Sequence, residues 1–395
     1  MHAPSSLSFF FVSLLALAPE VSSSPCNPKP QEKAVYFITN EEVNAVAALP
    51  IGPDGKLSKG TVTETGGAGS FGLNSTLLPA TPDALISQSA ITVSGKHVFA
   101  VNAGSNSLSV LSISHSDPTK LKLLGEPAAV PGEFVNTVAV SAKNGLACVA
   151  TTGSVAGVSC APFSKKKGLG KFDALRPFEL EQSTPPVGPA NTVSQVLFNE
   201  DESVLYAIVK GNPAVGRAGF VSSFPVSEGG VSQDGTRSSA SGTDILFGSQ
   251  VIPGTNNLLV TDPGFGSAII SIDPATHEAT TIGLGEVEGQ SATCWSTISP
   301  DTGRAFITDF GVNRLIEVSV EDASIISITD LSETGALGLT DARAVGDFVY
   351  ALAAGNGTVE AAVTVVDVSG EGSLLQHFGV GDIAGTRAQG LAVLV

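Results

Sequence analysis

Apolar and polar residues alternate in short runs along nearly the whole chain, and residues 291–320 show the unit at its clearest. An apolar run over 294–298 meets a turn at Ser299-Pro300-Asp301-Thr302-Gly303. A second run, 305–308, meets a turn at Asp309-Phe310-Gly311-Val312-Asn313, and a third, 315–320, alternates in polarity. A period of two punctuated by Gly, Pro, Asp and Asn predicts strands joined by hairpins, and no helical period competes with it.

The unit recurs. Runs beginning at Val35, Val98, Leu146, Leu205, Leu258 and Phe348 repeat the strand that begins at Ala305, which makes seven copies. Their spacing of roughly 45–60 residues is that of β-propeller blades. A four-stranded blade cannot bury both faces alone, so the copies are expected to stack in a ring. Residues 387–395 read as a first strand with nothing after it, and 35–39 as a second strand with none before it. The expected architecture is therefore all-β, a seven-bladed β-propeller closed by pairing of its N- and C-terminal strands, which removes two exposed sheet edges. Residues 66–82, 181–189 and 227–242 depart from the repeat. The first of these is expected to lie over one face, either as a binding mouth or as an inert glycosylated loop.

Composition agrees: 44 Gly, 23 Pro and a single Met on a Val-, Ala-, Ser- and Thr-rich background suit many short strands. Residues 7–18 are apolar but too few to cross a bilayer, and small residues follow at Val21-Ser22-Ser23-Ser24. They read as a signal peptide over 1–23, leaving 24–395 as one propeller domain of a secreted, extracellular protein. Sequons at Asn74 and Asn356 are expected glycosylation sites in loops. Cys148 and Cys160 flank a turn at Thr152-Gly153-Ser154, so hairpin pairing would set them opposite one another as a disulfide. Whether Cys26 and Cys294 pair, or Cys294 is a buried thiol, stays open. A net charge of −17 without acidic blocks leaves no basic face for nucleic acid or an anionic membrane. Lys165-Lys166-Lys167 reads as a solvated hairpin tip. No metal-ligand spacing, phosphate loop or nucleophile elbow is present, so no metal and no other cofactor is expected, and the protein is expected to be a monomer.

Several copies carry a first strand, a Ser-Pro-Asp-Gly-type turn and then Tyr/Phe-x-x-Asn/Asp-x-Gly-x-Asn, most distinctively over 290–306 with Cys294-Trp295 before the turn. This resembles the lactonase or 3-carboxymuconate cyclase-like family, seven-bladed propellers that include 6-phosphogluconolactonases and muconate-lactonising enzymes. It is particularly similar to the secreted fungal branch, whose members are extracellular or cell-wall antigens. The resemblance covers essentially the whole of 24–395. It implies a substrate that is a small carboxylated molecule or a lactone. Cyclisation of a muconate needs cationic donors for its carboxylates and a general acid within reach, whereas lactone hydrolysis needs a base for water and donors for the developing oxyanion.

In such a ring the first strand of each blade lines a central channel. The position five residues before the turn reads Ser89, Asn136, Ser194, Gly248, Cys294, Asp341 and Gln389. The resemblance implies a His before the Gln in the fourth copy; here Ser194 stands in its place and Gln195 remains. None of the five His residues falls on the ring, so a mostly neutral mouth is expected. Candidate carboxylate anchors are Arg217, Arg343 and Arg387, with Asp341 as the acid. Asp341, Arg343 and Arg217 form the catalytic candidates, and Ser194, Gln195, Asn136, Gln389 and Arg387 the substrate-binding ones. Asp262 and Asp309 recur at one repeat position, as structural turn caps do, and Trp295 reads as core packing. Two functions compete: a cyclase or lactonase acting in the central pocket, and a propeller without catalysis that acts as an adhesin, antigen or ligand-binding protein toward a cell-wall or host-surface component. A propeller hosts either.

Overall fold

The computed structural model describes residues 1–2, 33–228 and 230–395. The signal peptide expected over 1–23, and Cys26, lie outside the described residues. From residue 33 onward the chain forms seven antiparallel sheets arranged as the blades of a propeller. The innermost strands are Gln389–Leu394 in blade 1, Ile91–Ser94 in blade 2, Val135–Ser141 in blade 3 and Val193–Phe198 in blade 4. Ser249–Val251, Thr293–Ile298 and Ala342–Val345 serve blades 5 to 7. Blade 1 is built from both ends of the ring: Gln389–Leu394 pairs antiparallel with Lys33–Ile38, as the unmatched terminal strands predict.

Each strand alternates because each face meets a different neighbour. In Lys33–Ile38 and its partner, Val35, Phe37, Ala47 and Leu49 pack on Tyr350, Leu352, Val363 and Val365 of blade 7. Ala34, Tyr36, Ile38, Val46 and Ala48 pack on blade 2 instead, against Ile91, Val98 and Ala100. The core is thus a set of apolar layers between blades, and neither face of a blade is spared for water. The Tyr36 hydroxyl donates to Pro118 O at 2.7 Å in blade 2, and the Tyr350 hydroxyl to Gly55 O at 2.9 Å in blade 1. These bonds tether neighbouring blades while satisfying two buried phenols.

The outermost strand is broken in blades 2, 3 and 4. In blade 3, Gly168–Leu169 and Arg176–Phe178 both pair with Ala156–Ser164. Lys165, Lys166 and Lys167 form the exposed tip between the third strand and the first of these pieces. Cys148 and Cys160 are register partners with Cα atoms 4.0 Å apart, and they form a disulfide. Cys294 is a buried free thiol, and burial raises it well above the ordinary range. Asp262 accepts from the backbone N–H groups of Asp244, Ile245 and Gly264, and Asp309 from those of Ser291 and Ala292, so both are turn caps.

Candidate functional site

All seven aligned ring positions are buried, and in five of the blades a shared backbone device explains why. Asn136, Ser194 and Cys294 are each the extra residue of a β-bulge in the innermost strand of its blade. Gly248 and Asp341 occupy the same place, since Phe247 and Gly248 both bond Thr261, and Thr340 and Asp341 both bond Leu352. In blade 1 the shift in pairing falls after Gln389. A bulge leaves one residue out of the ladder and re-aims its side chain. Repeated in blades 3 to 7, it turns one residue of each out of the period of two.

That ring is filled by the chain itself. Residues 84–90, which precede the innermost strand of blade 2, are all buried on the axis. Together with Asp83 they make a plug that touches every other blade. Gln389 of blade 1 bonds Leu85 N and Pro82 O, and Asn136 of blade 3 bonds Leu85 O. Gln88 N donates to Ser194 O in blade 4. The Gln88 amide takes both backbone groups of Ser296 in blade 6, and Trp295 Nε1 donates to Ser87 O at 3.0 Å. Ser89 N donates to Asp341 Oδ2 of blade 7 at 3.0 Å. In blade 5, a Cβ on Gly248 would fall 2.1 Å from Gln88 Oε1, so only glycine leaves room for the plug there.

The plug also carries one member of a buried pair of titratable groups, Asp83, whose partner Lys210 comes from blade 4. Lys210 Nζ donates to Ile86 O at 2.7 Å and Thr192 Oγ1 at 3.3 Å and lies 4.2 Å from the centre of the Phe247 ring. Asp83 keeps Oδ1 buried without a hydrogen-bond partner. Burial pushes the Asp83 carboxyl up to about 7 against the pull of Lys210, and brings the Lys210 ammonium down to about 7 against the pull of Asp83.

The face where the innermost strands begin, the upper face, is covered over the axis. Loop 66–82 pairs there with 186–188, Leu73 N donating to Pro186 O and Gly188 N to Leu73 O, both at 2.8 Å. On the lower face, where these strands end, the channel opens as a cavity of about 370 Å³. Ser89, Gln195, Gln250 and Arg343 line it, with Glu200 and Glu202 from the first turn of blade 4. Arg343 Nη1 donates to Asp341 Oδ1 and Ala342 O, both at 2.6 Å, and Nη2 to Ser89 Oγ at 3.0 Å. Gln195 Nε2 donates to the same Ser89 Oγ at 3.3 Å and its Oε1 accepts from Ser249 N at 2.7 Å. These bonds leave one Nη2 proton and the Nε proton of Arg343 for a ligand. Among the carboxylates, Glu202 Oε2 accepts from Ser141 Oγ and Lys143 N, and Glu200 Oε2 from Gly254 N at 2.6 Å.

The structure divides the sequence candidates. Arg343 and Gln195 meet at the lower cavity. Asp341 does not line it: one oxygen takes Ser89 N and Leu391 N, the other Ala342 N and Arg343, so it orients Arg343 rather than presenting an acid to a ligand. Ser194 Oγ donates to Leu246 O at 2.6 Å, Asn136 donates to Val193 O and Leu85 O, and Gln389 donates to Pro82 O and accepts from Leu85 N, so these three belong to the filled level of the channel. Arg217 pairs with Glu181 at 3.2 Å, and Arg387 with Glu41 at 3.6 Å while its guanidinium covers Phe71. Neither lines the cavity. The expected neutral mouth is corrected as well, because Glu200 and Glu202 border it. They stand in a hairpin turn, which the repeat pattern marks as punctuation and not as chemistry. Among the described residues, no group of three His, Cys, Asp or Glu side chains converges as around a metal ion.

In sequence, no family model and no curated protein matches the chain. In three dimensions it is similar to the periplasmic gluconolactonase of Pseudomonas aeruginosa, with TM-score 0.66 at 13% identity over 92% of this chain and 99% of the other. A Lactobacillus plantarum protein gives TM-score 0.62 at 15% identity, covering 92% and 100%. A candidate 6-phosphogluconolactonase from Bacteroides fragilis gives 0.61 at 12%, covering 93% and 99%. At these identities the likeness is one of fold.

Proposed function

We propose that this chain binds small lactones, or the carboxylates they yield, in the lower axial cavity and hydrolyses the lactone ring there. The observation that carries the reading is Arg343, a guanidinium fixed by Asp341 and Ser89 at the floor of the cavity with donors to spare. A charge held in place before the reaction stabilises developing negative charge on a carbonyl oxygen at no cost in reorganisation. Glu200 and Glu202 each have one carboxylate oxygen engaged and one open, which suits a base that orients and deprotonates water. The similarity of fold to a gluconolactonase and a candidate 6-phosphogluconolactonase supports the same chemistry. Muconate cyclisation is less well supported, because Asp341 is saturated and no histidine lines the axial cavity.

The second reading is a propeller that binds such a ligand without turning it over. It is favoured by the same engaged carboxylates, whose bonds to Lys143 N and Gly254 N fix the turns of blades 3 to 5. Under either reading the leader and the disulfide support a protein secreted to an oxidising extracellular or cell-wall setting.

The test is turnover of a panel of aldonolactones by the full chain, with calorimetric binding of the matching aldonates. Lactonase activity should fall by about a hundredfold or more in Arg343→Ala and in Glu202→Gln. Binding without turnover, lost in Arg343→Ala, selects the second reading. A folded protein that neither binds nor turns over any of the panel overturns both.

A further inference from the structure

A second cavity, of about 430 Å³, lies between blades 4 and 5 on the same lower face. It shares Asn199 and Glu200 with the axial cavity, so the two are separated only by the first turn of blade 4. That turn is fixed from both sides: Asn199 bonds Ser203 Oγ and Val204 N, and Glu200 reaches across to Gly254 N in the matching turn of blade 5. We infer that the ligand of the axial cavity is an extended one, with a sugar-acid head at Arg343 and a glycosyl tail running outward over Glu200 into the groove between blades 4 and 5. The inference rests on the axial reading proposed above.

The chemistry of the groove selects the tail. Glu200 Oε1 has no hydrogen-bond partner in the protein, and neither do the side-chain amide of Asn256 and the imidazole of His277, which lies within electrostatic reach of Asp273; all three residues line the groove. A carboxylate, an amide and an imidazole offer acceptors and donors side by side. A sugar hydroxyl, which donates and accepts at once, matches such a set, whereas an alkyl tail would displace water from these exposed and half-buried groups and return no bond. A purely cationic tail would use Glu200 and Asp201 and leave the donors idle. Each cavity alone is near the lower limit of a ligand pocket, about 300 Å³, and the two joined accommodate a disaccharide acid. His277 sits in the turn between the third and fourth strands of blade 5, which the repeat pattern marks only as punctuation.

The experiment compares gluconate with three glycosyl-gluconates, lactobionate, maltobionate and cellobionate, by calorimetry on the full chain. At least one disaccharide acid should bind about tenfold or more tightly than gluconate. His277→Ala and Asn256→Ala should shrink that advantage to twofold or less while leaving gluconate affinity as it was, and Arg343→Ala should abolish binding of all four. If gluconate binds and no disaccharide acid binds more tightly, or if the advantage survives both groove substitutions, the extended ligand is wrong and the axial reading stands. If none of the four binds a folded protein, this inference is wrong, and the axial reading is decided separately by turnover of the lactone panel.

Discussion

Asp83 and Lys210 show how one pair of side chains can make the stability of the axis depend on pH. The folded state raises Asp83 from its ordinary 3.8 to about 7 and lowers Lys210 from 10.5 to about 7, in both cases through burial. Between pH 4 and 7 the folded aspartate holds a proton that the unfolded one has released, so their joint contribution to stability falls as pH rises. Above 7 the unfolded lysine holds a proton that the folded one has released, so the contribution recovers toward pH 10. Urea unfolding at pH 5, 7 and 9 should therefore show wild type weakest, relative to Asp83→Asn/Lys210→Met, near pH 7. A maximum there instead would mean that the two remain an ion pair with a depressed aspartate. Arg343 teaches a related lesson: the sequence marks it as an anchor, but its usefulness comes from Asp341, which gives up its own chemistry to hold it.

At the scale of elements, the plug has no regular secondary structure and is bonded to five other blades. Gly248 is its tightest constraint, and a double-mutant cycle reads it directly. Gly248→Ala should destabilise by driving a methyl group into Gln88 and the backbone of blade 6, and Gln88→Ala by stranding Ser296 N, at a cost of about 1–3 kcal/mol, since Ser296 O keeps Gln250 as a donor. The double variant should lose less than the sum, because the shortened residue 88 removes the tightest of the methyl group's clashes, while those with Cys294 O and Ser296 N remain. Strict additivity would mean the two do not touch. This element was not legible in the sequence. Strands announce themselves by local alternation and turns by Gly, Pro and Asp, so the seven blades, the terminal pairing and the Cys148–Cys160 contact could be read from neighbours along the chain. Residues 83–90 have no period, and their partners lie tens to hundreds of positions away. The bulges were hidden for a similar reason: alignment located the ring residues, but only pairing shows that Asn136 and Ser194 leave the ladder. The same limit split the candidate site. Arg343 and Gln195 sit on strands that the repeat places, whereas Glu200 and His277 sit in turns, where a repeat pattern reports spacing and says nothing of chemistry.

For the whole molecule, the two faces differ in kind: the upper is closed over the axis by loop 66–82 and the plug, and the lower holds both cavities. Closure of the ring depends on Gln389–Leu394, which pairs with Lys33–Ile38 and also delivers Gln389 to the plug and Leu391 N to Asp341. A chain ending at Ala388 should lose its cooperative unfolding transition by calorimetry, and an unchanged melting temperature would show that blade 1 stands without its inner strand. The plug has a further consequence, in time. Its bonds join residues 208, 252 and 304 positions apart, as Gln88 to Ser296, Ser89 to Asp341 and Leu85 to Gln389. During synthesis these eight residues leave the ribosome long before most of their partners exist. The bonds of the plug can therefore be completed only in a late step, which also brings Gln389–Leu394 onto Lys33–Ile38. Contacts of such range make folding slow. The same bonds oppose opening of the ring, so variants that remove them should unfold faster as well as melt lower.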